Sequence, residues 1–289
     1  NYRVSVRSQH PTHEWLRDNL PKFPFRAIVR LGSTTSTQQA YPRKTSEQIA
    51  RIKQINTVQG VKNSSSKLLM KQCFTEFGIK TAKWFNHNQI ANIISWSKGE
   101  YDDNESLYPI IAKHIHGSRG TGNYKLDTQE ELEEWLQGKN LSNYIFEKFY
   151  NYSREYRLHV SKNGCFYTCR KMLKSDTPEE NRWFRNDSNC NWILEDNELF
   201  DKPSNWDTIV NECVKALESL GLDIAGFDVK VQSKTKSNGE VREIPEFIVI
   251  ESNSACSHAE ITKVKYKEEI IKLLLQIKKQ QCALIFAQF

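Results

Sequence analysis

The sequence predicts a mixed α/β (α+β) fold in which antiparallel strand pairs alternate with capped helices. Three observations carry that prediction. Residues 226–232 and 245–253 read as two β-strands joined by a polar hairpin, with turn chemistry at Asn238-Gly239. Residues 109–113 and 123–126 are strand-like and flank the glycine-rich stretch His114-Ile-His-Gly-Ser-Arg-Gly-Thr-Gly122. Residues 154–160 alternate polar and apolar side chains, then turn at Asn163-Gly164 into a further strand over 165–173.

Residues 27–31 form a short apolar strand. The hydroxyl-rich loop 32–37 after it either holds an anion, with help from Arg30, or is a plain connector. Residues 45–58 have helical spacing at Ile49, Ile52 and Ile55. A better-signalled helix opens at Asn63-Ser-Ser-Ser-Lys67, where a serine serves as N-cap; Leu68, Leu69, Cys73, Phe74 and Phe77 recur at helical spacing, and Gly78 ends it. Residues 79–85 are extended, and 84–106 read as a helix followed by an acidic loop over 100–105.

The strand 109–113 ends in Lys113, and 123–126 returns from the glycine-rich loop. Such a flap closes backbone N–H groups on phosphate while the lysine adds a point charge. It is not a Walker loop, because no Gly-Lys-Ser/Thr follows and the next element is not a helix. Thr128 and Glu131 make a capping-box pattern for a helix with Leu132, Trp135 and Leu136 on its apolar face, stopped at Gly138. Residues 143–149 are another strand. Glu155, Arg157 and His159 then alternate with Tyr156, Leu158 and Val160, giving a polar and a buried face, and Arg170 and Lys171 close the strand that follows. Residues 174–203 read as a long loop crossing the site, and 204–220 as a capped helix ending at Gly221.

Asp228 lies on the first of the two C-terminal strands, Glu251 and Asn253 at the end of the second. Two apart on a strand, Glu251 and Asn253 face the same way, and antiparallel pairing brings Asp228 to them. This is an all-oxygen nest suited to a hard divalent cation, Mg²⁺ or Mn²⁺. The plainer alternative is three solvated polar residues at a strand end.

Composition bounds the rest. With 289 residues, 38% hydrophobic and 26% charged, the chain has ordinary globular composition. No apolar run approaches a membrane span, and seven cysteines without CxxC pairs favour a reduced, cytoplasmic chain. The net charge of +6 favours anionic ligands but is too dispersed for a specific nucleic-acid partner. The lysines of the last helix, residues 261–281, read as a solvated face. No Ser-His-Asp or Cys-His nucleophile is apparent. His114, His116, His159 and His258 read as structural or loop histidines, His258 being the one to test as a substrate contact.

In order, Lys67, Lys113 with its flap, Glu147-Lys-Phe149, Glu155-x-Arg157, Lys171, Asp228 and Glu251-x-Asn253 resemble the ATP-grasp family, in particular carboxylate–amine ligases of the RimK and D-alanine–D-alanine ligase type, over about residues 60–275. The resemblance implies three units: a small N-terminal lobe (1–62), a flap subdomain (63–150) and a C-terminal antiparallel sheet lobe with helices that carries the metal (151–289). It implies ATP and Mg²⁺ (or Mn²⁺), with a carboxylate attacking the γ-phosphate and an amine intercepting the acyl phosphate. By the same resemblance Lys113 and Lys67 meet the nucleotide, and Gly117, Ser118, Gly120, Thr121 and Gly122 fold over its phosphates. Glu147, Lys148 and Phe149 meet the adenine largely through backbone groups, and Glu155 hydrogen-bonds the ribose. Arg157 or Lys171 faces phosphate or substrate, Arg242 approaches the transferred phosphate, and Glu251 bridges two metal ions beside Asp228 and Asn253. Ser254-Ala-Cys-Ser-His258 replaces the small residue and Pro-Gly usual after the final Asn, which leaves the acceptor open. The implied partners are a small-molecule or peptide carboxylate and an amine, with a homo-oligomer left open. A kinase-like phosphotransferase and a non-catalytic nucleotide-binding module are the alternatives.

Overall fold

The computed structural model describes residues 5–7, 9–97, 108–117, 120–256 and 259–286. In chain order the elements begin β1 (Ser5–Val6), α1 (Pro11–Asn19), β2 (Ala27–Val29), α2 (Thr37–Ala40), α3 (Ser46–Ala50), β3 (Lys53–Ile55), α4 (Val58–Ser65) and α5 (Lys67–Glu76). They continue with β4 (Trp84–Asn86), α6 (Ile90–Ser97), β5 (Ile110–His114), β6 (Asn123–Leu126), α7 (Gln129–Gln137) and β7 (Tyr144–Lys148). The last third holds β8 (Arg154–Ser161), β9 (Gly164–Leu173), β10 (Cys190–Leu194), α8 (Trp206–Leu220), β11 (Ile224–Val231), β12 (Phe247–Asn253) and α9 (Glu260–Phe286).

Three sheets organise these elements. β1, β2 and β3 pair in parallel in that order. Ala27, Ile28 and Val29 are all fully buried, as a central parallel strand covered on both faces requires. Leu16 of α1 and Leu20 just after it share a core with Val29, Ile55 and, from α9, Tyr266, Ile270 and Leu274, so the last helix returns to the first sheet. The second sheet runs β4-β7-β5-β6, all antiparallel. Its core face carries Phe85, Ile110, Ala112, Leu126 and Phe146, closed by Ile93 of α6 and Leu132 of α7. The third runs β10-β9-β8-β11-β12, also antiparallel. Tyr156, Leu158, Val160, Phe227, Val229 and Val231 turn to its core face, where Val61, Met70, Phe74, Ile209, Cys213 and Leu217 of α4, α5 and α8 meet them.

Helices therefore cover one face of the second sheet and one face of the third. Period-two alternation sends the remaining side chains of β5, β7, β8, β9 and β11 into the space between those sheets. That space is a cleft of about 930 Å³.

The strands expected at 109–113, 123–126, 143–149, 154–160, 165–173, 226–232 and 245–253 form, within a residue or two. Ser66, at the expected place, caps α5 through Leu69 N. Thr128 caps α7 through Glu131 N, while the Glu131 side chain reaches back to Asp127 N. Three expectations need correction. Residues 45–58 are not one helix: α3 ends at Ala50 and β3 follows, with Ile52 and Ile55 buried in a strand-bearing segment whose spacing happened to mimic a helix. Residues 174–203 are not all loop, because β10 adds to the edge of the third sheet along β9. Trp84 opens β4 rather than a helix, pairing opposite Glu147. The acidic loop 100–105 lies outside the described residues.

One residue ties the first sheet to the third. Asn56 ends β3 at φ +60°, a left-handed conformation that asparagine tolerates better than most residues. Fully buried, its side chain makes four hydrogen bonds. Nδ2 donates to Arg30 O (3.0 Å) and Ile224 O (2.9 Å), and Oδ1 accepts from Asp223 N (2.8 Å) and Ile224 N (3.0 Å). Asn56→Ala removes all four and strains the backbone, so it should cost at least about 3 kcal/mol, since each buried group left without a partner costs roughly 1–3 kcal/mol. Denaturant unfolding measures this; a loss under about 1 kcal/mol would contradict the assignment.

Candidate functional site

Three rows of side chains cross the third sheet and form the floor of the cleft. In the first, Trp192, Lys171, Glu155, Lys230 and Ile248 are successive register partners from β10 to β12. In the second they are Leu194, Cys169, Arg157, Asp228 and Glu251, with a bulge after Asp228. In the third they are Tyr167, His159, Gly226 and Asn253. Gly226 is required there, because a Cβ would come within 2.5 Å of Cys256 Sγ and 3.5 Å of His159 Nδ1. The second sheet supplies the roof with Ile111, Lys113 and Glu147, and α5 closes one side with Lys67 and Met70.

Charges alternate along the first row, and the cations of the first two rows pair with Asp228 and Glu155. Arg157 donates Nε to Asp228 Oδ1 (2.7 Å) and Nη2 to Oδ2 (2.9 Å), a two-pronged contact. Lys171 Nζ donates to Asp228 Oδ2 (2.7 Å) and Glu155 Oε1 (2.8 Å), and Arg185 Nη1 lies 3.7 Å from Glu155 Oε2. Trp192 spreads beneath Arg157 and Lys171, its ring centroid 4.9 Å and 5.3 Å away. Burial alone would raise the Asp228 pKa; Arg157 and Lys171 outweigh it and hold the carboxylate well below its ordinary range. For Lys171 burial works downward and Asp228 and Glu155 prevail, raising it.

On the roof Glu147 sits between two lysines, 2.6 Å from Lys113 Nζ and 3.2 Å from Lys71 Nζ. Lys71 is fully buried, also donates to Thr81 Oγ1, and is pushed down to about 8 by burial. Burial would raise Glu147, but Lys113 and then Lys71 hold it down. Lys67, at the start of α5, donates Nζ to Gly117 O of the flap, while its backbone N–H donates to Ile115 O (2.9 Å). The segment 183–187 closes the remaining side, and the Phe184 ring packs against Gly120, which has φ +83°.

The expected site residues thus converge, with changes. Lys67, Lys113, Gly117, Gly120, Glu147, Lys148, Phe149, Glu155, Arg157, Lys171, Asp228, Glu251 and Asn253 all line one cleft. Arg157 and Lys171, one or the other expected to face phosphate or substrate, both line the cleft and both hold Asp228. Glu147 reaches in with its side chain, and the backbone N–H groups of Lys148 and Phe149 are taken by Lys83 O (2.9 Å) and Pro109 O (3.0 Å), so a base along this segment does not use those two amides. Thr121 and Gly122 support the flap: Thr121 O is 2.4 Å from where a Gly117 Cβ would stand, and Gly122 packs on His114. Arg242 does not reach the cleft. Its hairpin folds on itself through a Thr235–Val241 bridge and leaves the sheet beyond Val231 and Phe247, opposite the Glu251–Asn253 end. Arg30 is no anion site either; its buried guanidinium is held by Thr35 O, Gln54 Oε1, Asn56 O and Thr37 Oγ1. Ser118 and His258 lie outside the described residues. His159 is structural, its Nδ1 3.0 Å from the Tyr266 hydroxyl.

Lys71, Lys230, Arg185 and Trp192 went unread in the sequence. Lys71 follows Lys67 by one helical turn, and Lys230 follows Asp228 by two residues on a strand, so the same periodicities place both on the functional face.

As to a metal, the donor chemistry suits a hard divalent cation in part. Glu251 forms no ion pair among the described residues, and the Asn253 amide nitrogen is buried without a hydrogen-bond partner there. Asp228 already accepts three hydrogen bonds from the chain's own cations, one at Oδ1 and two at Oδ2, which leaves Oδ1 as its less occupied oxygen. No cluster of three or more His, Cys, Asp or Glu converges among the described residues.

No family model and no curated protein matches the sequence. Solved structures do. The D-alanine–D-alanine ligase of Bacillus anthracis matches with a TM-score of 0.64 at 14% identity, over 97% of this chain and all of that one. Carboxyaminoimidazole ribonucleotide synthase of Aspergillus clavatus, solved with ATP, matches at 0.54 and 15%, over 81% of this chain and 54% of that one. The D-alanyl-alanine synthetase A of Vibrio cholerae matches at 0.58 and 12%, over 89% and 78%. The chain therefore spans about half the length of the fungal synthase. These likenesses show the fold: the chain has the ATP-grasp fold.

Two measurements test the site's electrostatics. Asp228→Asn leaves Arg157 and Lys171 without their shared counter-ion and should cost about 3–5 kcal/mol of stability, the usual toll of breaking a buried pair. Glu251→Gln, with no pair to break, should stay within about 1 kcal/mol of the parent; equal losses would contradict the pairing. Burial holds His159 at about 3, with Arg157 also lowering it, and burial holds His13 at about 4. Folded pKa values below the ordinary one mean that this stability is complete above about pH 6.5 and is lost as pH falls towards the folded values. Denaturant midpoints should drop between pH 6.5 and pH 5, by up to about 2 kcal/mol per histidine, and His159→Gln should remove its share.

Proposed function

We propose that the cleft binds ATP and that the chain is an ATP- and Mg²⁺-dependent carboxylate–amine ligase acting through an acyl phosphate. The observation that carries this reading is the charge arrangement between two sheets: lysines from the roof and α5, and Arg157 with Lys171 from the floor, line one cleft with the oxygen donors of Glu251 and Asn253. The ATP-grasp fold supports it.

A polyphosphate entering this cleft meets Lys67 and Lys113 beside Gly117 and Gly120, and its base runs along Glu147, Lys148 and Phe149 towards Ile248 and Ile250. A carboxylate of the substrate attacks the γ-phosphorus, the bond to the ADP oxygen breaks, and an amine then displaces phosphate from the acyl carbon. Phosphoryl transfer asks the protein for positioning and charge neutralisation rather than covalent help. Glu251 and Asn253, joined by Asp228, would hold a divalent cation, which when bound neutralises phosphate charge. The acceptor end of the cleft is built of small side chains, Thr12, Gly32, Ala255 and Ala259, where a Cβ on Gly32 would stand 2.4 Å from Ala255 Cβ. We take residues 1–62, 63–150 and 151–289 as the three working units, with α9 packed back on the first.

The test is melting with a non-hydrolysable ATP analogue and Mg²⁺, each alone and together, in the parent and in Glu251→Ala. Ligand at 100 times its Kd stabilises by about 2.7 kcal/mol. A rise in Tm that needs both partners and disappears in Glu251→Ala is expected, together with ADP release that depends on added carboxylate and amine. No shift at millimolar nucleotide would overturn the reading. Phosphorylated product without amine uptake would make the chain a phosphotransferase.

A further inference from the structure

Lys230 is the cation on the cleft floor that the ligase reading leaves without a task. Arg157, Lys171, Lys71 and Lys113 each touch a carboxylate. Among the described residues Lys230 touches none; its hydrogen bond is a long one, 3.4 Å to Trp183 O, and its ammonium lies 5.0 Å above the centre of the Phe149 ring. Burial pushes it down to about 8. A methionine or leucine would floor this position without desolvating a charge, so the lysine is costly to the empty protein.

Its surroundings say what it can read. Lys230 is the register partner of Glu155 on β8 and of Ile248 on β12. Directly paired cross-strand residues have Cβ atoms about 4.5–5.5 Å apart, so the two side chains rise from neighbouring points of the cleft floor without forming an ion pair between them. Phe149 ends the segment along which the base lies in the reading above, and Lys113 and Lys67 mark the phosphates. What lies between base and phosphates is the sugar. A sugar hydroxyl both donates and accepts; Glu155 only accepts and Lys230 only donates. Resting on the nucleotide reading of the cleft, we propose that Lys230 is its ribose-reading residue, donating to the 2′-hydroxyl oxygen while Glu155 accepts from that hydroxyl, so that the cleft selects ribonucleotides over 2′-deoxyribonucleotides. A nucleotide lacking the hydroxyl leaves the buried ammonium with nothing to donate to, which is how sites built around a hydroxyl reject its absence.

The experiment is calorimetric titration of the Mg²⁺ complexes of ATP and 2′-deoxy-ATP into the full chain and into Lys230→Met, with Tm measured in the absence of nucleotide. The parent should prefer ATP by about tenfold or more. Lys230→Met should lose about tenfold on ATP, change little on 2′-deoxy-ATP, and so bring the preference close to unity, at equal or higher Tm. If Lys230→Met does not fold, Lys230→Gln, which keeps a neutral donor of similar reach, should show an intermediate preference. Equal weakening of both nucleotides, an unchanged preference in the variant, or no preference in the parent would overturn the proposal alone. A parent that binds neither nucleotide would overturn the nucleotide reading with it.

Discussion

Asp228 holds Arg157 and Lys171, and the floor of the cleft depends on that contact. Two cations on neighbouring strands of one sheet face would repel across a few ångströms of low-dielectric space. One carboxylate on β11, with Glu155 beside Lys171, makes the arrangement stable. Because the strands are in fixed register, that pairing also sets where Glu251 and Asn253 stand on β12, and where Lys230 stands on β11. The chain thus carries its own counter-ions where the donor chemistry would suit a metal.

The same economy shapes the fold. Each of the two larger sheets spends one face on a hydrophobic core and gives the other to the cleft. Helices α4, α5 and α8 cover the third sheet from behind, so the polar face is rigidly backed by Tyr156, Leu158, Phe227 and Val229, all fully buried. α9 crosses back to the first sheet and Asn56 stitches that sheet to the start of β11, which ties the first sheet to the floor of the cleft.

Much of this was legible in the sequence, for identifiable reasons. Strands whose alternation is strong, such as 154–160, and helices with capping chemistry, such as the one opened by Ser66, declare themselves locally. The residues converging on the cleft could be read because strand periodicity puts Glu251 with Asn253, and Glu155 with Arg157, on common faces. What the sequence hid was long-range. The pairing of β10 with β9 has no alternation of its own to announce it, and β3 imitated a helix through Ile52 and Ile55. Which cation meets which anion depends on register between strands, so the expectation that Arg157 or Lys171 faces phosphate or substrate does not include the contact both make with Asp228. Arg242 stands away from the cleft for the converse reason: nearness in sequence to Asp228 and Glu251 says nothing about the end of the sheet from which its hairpin departs.

The proposal that the cleft binds a nucleotide is tested most directly by a crystal structure of the chain with ADP and Mn²⁺, read by anomalous scattering. The expected result is an anomalous peak against Glu251 and Asn253, the diphosphate beside Lys113 and Lys67, and the base along residues 147–149. A nucleotide bound elsewhere, or manganese away from Glu251, would contradict it.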